Sequence, residues 1–65
     1  IVDMRYIVII YYVLIEGDQE FETLNVNKNI EANSPEEAIG IAYKCFKAEA
    51  PEECYILSII PNAMP

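Results

Sequence analysis

A continuous run of hydrophobic positions follows Arg5, and residues 6–15 are all apolar or aromatic. Successive side chains of a strand point to opposite faces, so both faces of this segment are apolar. Such a strand requires cover on both sides, and its Ile, Val and Tyr residues favour a strand over a helix. We therefore predict a strand over about Met4–Ile15, placed at the centre of a sheet.

The pattern changes at Glu16–Gln19, where a glycine and an aspartate separate two strand-like runs and predict a hairpin. The second strand is expected from about Glu20 to Glu31. Its Leu24, Val26 and Ile30 alternate with an asparagine-rich set. We expect these three side chains to face the core and the asparagine-rich face to be solvated, as on an edge strand.

A helix start follows in the segment S-P-E-E-A, which begins at Ser34. Ser34 is the expected N-cap, a proline takes the first helical position, and Glu37 completes a capping box three residues after the cap. The helix is predicted to end at Ala48 or Glu49, and Gly40 in its middle is expected to permit close packing on the sheet. The stripe predicted to face the sheet comprises Ala38, Ile41, Ala42, Cys45 and Phe46.

The third strand is predicted from about Cys54 to Ile60, after Pro51 ends the helix. Pro61 is expected to stop this strand, because proline cannot donate to a sheet ladder, and residues 61–65 are expected to form a frayed tail. One alternating face would then carry Tyr55, Leu57 and Ile59, and the other Cys54, Ile56, Ser58 and Ile60.

These elements predict one α+β domain over residues 1–65 with the order ββαβ. The doubly apolar first strand takes the centre of a three-stranded antiparallel sheet in the order 2-1-3, and the helix packs on one face. The first three residues precede the first methionine, so a cloning remnant and a native segment are both compatible with the sequence.

The net charge narrows the range of functions. The chain has 65 residues, of which 11 are acidic and 4 basic, and its net charge is −7. Nucleic acid and anionic membrane surfaces both attract Lys- and Arg-rich segments, so neither is expected as a direct partner. The apolar run is about half as long as a membrane-spanning helix needs. With no recognisable targeting signal, a cytoplasmic location is expected.

Catalytic and metal-binding chemistry has little support in the residue types. There is no histidine, and the two cysteines, Cys45 and Cys54, are too few for a structural zinc site. No phosphate-binding, calcium-loop or nucleophile motif occurs. The chain is therefore expected to be no enzyme and to hold no metal or cofactor, with a tyrosine-lined ligand site between subunits as an alternative. The cysteines fit either buried thiols or a disulfide between the helix and the third strand.

The main functional prediction is self-association through the sheet. A helix on one side leaves the other sheet face and the edge of the third strand without cover, and such surfaces mark association sites. A chain of this size is also marginally stable alone. We expect a non-enzymatic interaction module that forms a homodimer by face-to-face packing or edge pairing. The candidate interface residues are Tyr11, Tyr12, Tyr55, Leu57 and Ile59.

The acidic residues of the hairpin allow two interpretations. They form either a solvated tip or a surface that contacts a basic protein, and the latter is the second functional hypothesis. A short acidic ββαβ chain whose helix begins S-P-E-E-A resembles, over its whole length, small phage-encoded anti-defence proteins, including anti-CRISPR proteins. The resemblance implies an inhibitor or nucleic-acid mimic that binds a basic nucleic-acid-handling protein. The candidate acidic contacts are Glu16, Asp18, Glu20 and Glu22, with Glu52 and Glu53 added by the resemblance.

Overall fold

A computed structural model describes residues 4–50 and 53–65 of the chain. The elements are β1 (Met4–Glu16), β2 (Gln19–Ala32), α1 (Pro35–Glu49) and β3 (Cys54–Ala63). The strands form one antiparallel sheet in the order β2-β1-β3, and the helix packs against one face of it, which confirms the predicted α+β class and topology. The origin of residues 1–3, the helix end predicted at Pro51 and the contact predicted at Glu52 lie outside the described residues.

The core lies between α1 and the face of β1 that carries its even-numbered residues. Tyr6, Val8 and Ile10 are buried there, and the last two are fully inaccessible to solvent. Phe46 of the helix meets Tyr12 edge-on, with ring centroids 4.8 Å apart and 66° between the ring planes. This side of the sheet is termed the helix-facing side.

The helix begins as the sequence predicts. The hydroxyl oxygen of Ser34 accepts the backbone N–H of Glu37 at 3.1 Å, which satisfies one of the unpaired donors at the helix start. The Glu37 carboxylate accepts the N–H of Asn33 at 3.2 Å, one residue before the cap residue that a capping box normally uses. These two contacts fix the point at which the chain leaves β2 and turns back over the sheet.

The helix contacts the sheet along one narrow row. Ala38, Ala42 and Phe46 lie four residues apart and are buried as predicted. Ile41 and Cys45 are exposed, so their predicted place in the buried stripe is wrong. Each of them precedes a buried residue by one position and is therefore rotated about 100° away from it around the helix axis.

The two cysteines have different environments. Cys45 is an exposed free thiol, so it is not one of two buried thiols and no disulfide joins it to Cys54. Cys54 is half-buried at the start of β3 and packs against the core. The expectation of a small hydrophobic role therefore fits Cys54 only.

A two-residue turn joins β1 and β2. Glu16 pairs with Gln19, which leaves Gly17 and Asp18 as the loop. Gly17 has a φ of 61°, in the left-handed region that glycine adopts without steric cost. A glycine with positive φ at the first loop position is the requirement of a type II′ turn, which suits the twist of a hairpin. The predicted hairpin is confirmed, and the turn sets the register of the two strands.

A β-bulge divides β2 into two parts that face opposite ways. The register with β1 shifts by one residue at Asn29, which has a φ of 59°, a conformation that asparagine tolerates better than most residues. The extra residue turns Ile30 to the helix-facing side, where it is 8% exposed, while Leu24 and Val26 face the other side. The prediction that all three face the core is wrong, because a simple alternation contains no bulge.

The asparagine-rich set of β2 lies on the helix-facing side. Asn25 and Asn27 are half-buried, and the side-chain nitrogen of Asn27 donates to the side-chain oxygen of Asn25 at 2.8 Å. Their register partners on β1, Ile10 and Val8, are buried. The expected solvated face is therefore wrong at Asn25 and Asn27, which border the core, whereas Phe21 and Asn29 of the same predicted set are exposed.

The third strand extends beyond its predicted end. Pro61 lies beside Val8, and the N–H of Met64 donates to the carbonyl oxygen of Arg5 at 2.8 Å. Because β3 is an edge strand with one neighbour, proline is tolerated where its nitrogen faces away from β1. The strand therefore ends at Ala63 and not before Pro61, and the predicted frayed tail is shorter by the same residues.

A second bulge lies in β3. Its register with β1 shifts by one residue between Ile56 and Ser58, so Leu57 is the extra residue. Ile56 and Ile59 consequently both pack against the core, although a simple alternation puts them on opposite faces. The predicted division of β3 into two alternating sets is corrected at this point.

Alanine substitution of the two glycines tests the fold with opposite expected signs. Gly17→Ala is expected to lower the free energy of unfolding by about 1 kcal/mol, because alanine must then adopt a left-handed φ. Gly40→Ala is expected to raise it by about 0.5–1 kcal/mol. A new Cβ on Gly40 meets nothing within 4 Å, which also corrects the expectation of close packing there. Urea unfolding followed by circular dichroism measures both, and changes of the same sign would contradict the assigned turn or helix.

Candidate interaction surface on the open sheet face

Among the described residues, no layer covers the side of the sheet away from the helix, and we term this side the open face. Leu24 is 54% exposed and Leu57 is 52% exposed, although both lie in strands. Val26 and Ile60 flank Ile9 from the two neighbouring strands. The open face comprises Ile7, Ile9, Tyr11, Val13 and Ile15 of β1, Glu20, Glu22, Leu24, Val26 and Lys28 of β2, and Tyr55, Leu57, Ser58, Ile60 and Asn62 of β3.

The odd-numbered residues of β1 form the floor of the open face. Ile7, Ile9 and Ile15 are half-buried there, although no helix of the described chain lies above them. Because the run from Tyr6 to Ile15 is apolar at every position, burying its even-numbered side chains necessarily leaves an apolar row on the other side. The sequence of β1 thus creates the open face directly.

A groove of about 300 Å³ lies on the sheet beside Tyr11. Leu24 and Leu57, from the strands on either side of β1, line it together with Glu22. The remaining lining residues are Tyr12 and Thr23. The groove is at the lower end of the size range of ligand pockets and is open to solvent, so its shape suits an apolar side chain of a partner better than an enclosed small molecule.

Tyr55 crosses the open face near the hairpin. Its hydroxyl donates to the Glu20 carboxylate at 2.8 Å, and the two residues lie on opposite edge strands. The ring therefore passes over β1 beside Val13, which is its register partner. This crossing accounts for Val13 being only 4% exposed on a face without a helix. The chain itself thus partly closes the hairpin end of the open face and leaves the apolar middle uncovered.

The same contact raises the pKa of the Tyr55 hydroxyl above its usual value of 10.0. The hydrogen bond to Glu20 is the main cause, and desolvation and the negative charges of Glu20 and Glu22 add to it. Because the pKa is higher in the folded chain, the interaction stabilises the fold below about pH 10 and is lost as the pH rises through the folded-state pKa.

The five predicted interface residues divide between the two sides of the sheet. Tyr11, Tyr55 and Leu57 lie on the open face. Tyr12 and Ile59 pack against the core on the helix-facing side. Tyr12 directly follows Tyr11 and so points the other way, and the bulge at Leu57 turns Ile59 over.

Sequence reasoning missed Leu24, Val26 and Ile60 as residues of the open face. For the first two, the sequence does carry a signal at Asn29, because asparagine is one of the few residues that readily adopt a positive φ in a bulge. A bulge placed there puts Leu24 and Val26 on one face of the sheet and Ile30 on the other. The bulge in β3 has no comparable signal, since its extra residue is a leucine.

The five predicted acidic contacts that lie among the described residues gather at the hairpin end. The carbonyl oxygen of Glu53 accepts the N–H of Ile15 at 3.0 Å, which brings this residue to the same end. The other four are exposed in the turn or beside it, and they are Glu16, Asp18, Glu20 and Glu22. Glu20 and Glu22 belong to the open face, whereas the first two lie at the tip.

No family model, curated protein or solved structure was found to match this chain. Within the described residues, no group of three or more His, Cys, Asp or Glu side chains is placed to hold a metal ion. Among residues 4–50 and 53–65, no helix combines the length and the hydrophobicity that crossing a membrane requires. The two surface features of the described chain that bear on function are the open face and the acidic hairpin end.

Removal of the Glu20 carboxylate is expected to lower the pKa of Tyr55, because the hydroxyl loses its acceptor and a nearby negative charge. The ultraviolet absorbance of tyrosinate, titrated in Glu20→Ala with and without Tyr55→Phe, isolates this one residue. Glu16→Ala removes a carboxylate that does not bind Tyr55 and is the control. A Tyr55 titration that is identical in the unchanged chain and in Glu20→Ala would contradict the crossing.

Proposed function

We propose that this chain is a non-enzymatic protein-interaction module that forms a homodimer through its open face. The observation that carries the proposal is the apolar middle of that face, where Tyr11, Leu24 and Leu57 line an open groove. Contiguous exposed apolar surface on a small protein marks an association site. A second copy supplies on this side the cover that the helix supplies on the other.

The accessible surface area supports the proposal. It amounts to 4671 Å², whereas a folded monomer of 7.4 kDa is expected to expose about 4,200 Å². A three-stranded sheet that carries a helix on only one side exposes more surface than a compact monomer of the same mass. Two such sheets packed face to face lie about 10 Å apart and remove the apolar part of the excess from water.

Two bulges favour face-to-face packing over edge pairing. β2 and β3 are the edges of the sheet, and each carries a bulge, at Asn29 and at Leu57 respectively. Pro61 in addition lacks the N–H that an added strand would need. Bulges and prolines on edge strands oppose pairing with another chain. The open face is therefore the surface on which a second copy packs best.

The acidic hairpin end favours a second function, binding of a basic protein as an acidic inhibitor or nucleic-acid mimic. Glu16, Asp18 and Glu53 are exposed at this end of a chain with a net charge of −7. A negative surface of this kind attracts a basic partner, and dissolved salt screens this attraction and shortens its range. The tip lies outside the apolar middle of the open face, so the two functions are compatible.

Leu57→Asp is expected to abolish or strongly weaken the homodimer, because the new charge would have to lose water in an apolar contact. Sedimentation equilibrium from low micromolar to about 1 mM protein should show a mass that rises towards the dimer in the unchanged chain and stays monomeric in the variant. We expect dissociation in the micromolar range, because two chains that each carry a net charge of −7 repel each other.

Ile41→Asp is the matched control for this experiment. Ile41 is 37% exposed on the solvent side of the helix, away from the open face, so its substitution should leave the dimer unchanged. Circular dichroism confirms that both variants are folded. A monomer at every concentration of the unchanged chain, or a dimer equally stable in Leu57→Asp, would contradict the proposal.

The second function predicts salt-sensitive binding of a Lys- and Arg-rich peptide. Calorimetric titration should show affinity that falls strongly between low salt and about 0.5 M salt, and that falls again when Glu16→Gln and Asp18→Asn are combined. Glu36→Gln with Glu49→Gln removes the same charge from the helix and is the control. Binding that is absent, or that ignores both salt and the tip charges, would count against this function.

A further inference from the structure

Charges of opposite sign lie at opposite ends of the open face, with the apolar groove between them. Resting on the proposed self-association, we infer that the two copies pack as an antiparallel two-fold pair in which Glu22 meets the partner's Lys28. The second copy is the occupant because the face is complementary to itself in this one orientation. That complementarity follows from the register of β2 on β1.

On the open face, β2 presents every second residue from the hairpin to the bulge, namely Glu20, Glu22, Leu24, Val26 and Lys28. Glu20 is bonded to Tyr55 within the chain, and Glu22, Leu24 and Val26 lie beside Val13, Tyr11 and Ile9 of β1. Lys28 follows Asn27, which pairs with Val8, so continuation of the register puts Lys28 beside Ile7. The row from Glu22 to Lys28 therefore reads acidic, apolar, apolar, basic.

This row is symmetric about the level of Ile10. Glu22 and Lys28 are six residues apart, about 20 Å along the strand, and their levels at Val13 and Ile7 are equally distant from Ile10. A two-fold axis at that level, in the plane between the sheets and perpendicular to the strands, lays β2 over the partner's β2. It brings Glu22 to the partner's Lys28 and Leu24 to the partner's Val26.

The other face-to-face arrangement lacks this match. A two-fold axis parallel to the strands lays β2 over the partner's β3, so Glu22 lies over the level of Tyr55, which pairs with Val13 on the other edge. Lys28 then lies over the level of Asn62, which pairs with Ile7. Neither charge finds an opposite charge there, so the electrostatic energy favours the antiparallel pair.

The state of Lys28 in the single chain agrees with this assignment. Lys28 is exposed and makes no ion pair with any described residue. Arg5, at the same end, already pairs with Glu31 at 3.3 Å, so that pair adds little net charge. Since each chain carries a net charge of −7, two copies repel each other, and an orientation that uses the available cation at the interface offsets part of that repulsion.

Reversal of the two charges tests the orientation. Glu22→Lys and Lys28→Glu are each expected to weaken the homodimer about tenfold, because each turns two attractive contacts into repulsive ones. The double variant restores opposite charges and should dimerise like the unchanged chain. Sedimentation equilibrium measures all four proteins, and circular dichroism shows that each is folded.

Mixing the two single variants gives the sharpest readout. A heterodimer of Glu22→Lys with Lys28→Glu has opposite charges at both contacts, whereas each homodimer has like charges at both. Native mass spectrometry of an equimolar mixture should therefore show heterodimer well above its statistical share. A statistical mixture, or single variants that dimerise normally, would overturn the antiparallel orientation while self-association stands. A monomeric unchanged chain would instead overturn the proposed function, and the orientation with it.

Discussion

Burial of the doubly apolar strand β1 is the constraint on which the other features depend. On the helix-facing side, Val8 and Ile10 are sealed by a row of two alanines and Phe46. On the open face, the described neighbours of Ile9 and Tyr11 all lie within the sheet. A domain needs a second layer over each apolar face, and the described chain has one helix to offer. In the proposed homodimer, a second copy forms the missing layer.

The bulges convert that constraint into a specific surface. The bulge at Asn29 places Ile30 in the core and leaves Leu24 and Val26 on the open face. Without this bulge, Leu24, Val26 and Ile30 would all face the same side of the sheet. Either Ile30 would then leave the core, or Leu24 and Val26 would leave the open face. Both edge strands are interrupted by bulges, which protects a small sheet from edge-to-edge association while its face remains available.

The topology could be read from the sequence, because its signals are local and agree with one another. The Ser34 cap, the turn at Gly17 and the apolar run of β1 each depend on a few neighbouring residues. Residue facing was harder to predict, because a single extra residue inverts every later side chain of a strand. The bulge at Leu57 puts Ile59 on the helix-facing side, and the bulge at Asn29 puts Ile30 in the core while Leu24 stays on the open face. The surplus of apolar residues predicts self-association. The relative orientation of the two copies can be inferred only from the register of β2 on β1.

The most direct test of cover by a second copy is the solvent accessibility of individual methyl groups at different protein concentrations. NMR spectra recorded with a soluble paramagnetic agent report this accessibility residue by residue. If a second copy covers the open face, the Leu24 and Leu57 methyl signals broaden strongly in dilute protein and become shielded in concentrated protein, while Ile41 stays accessible throughout. Leu24 and Leu57 methyl groups that remain accessible at every concentration would contradict the homodimer.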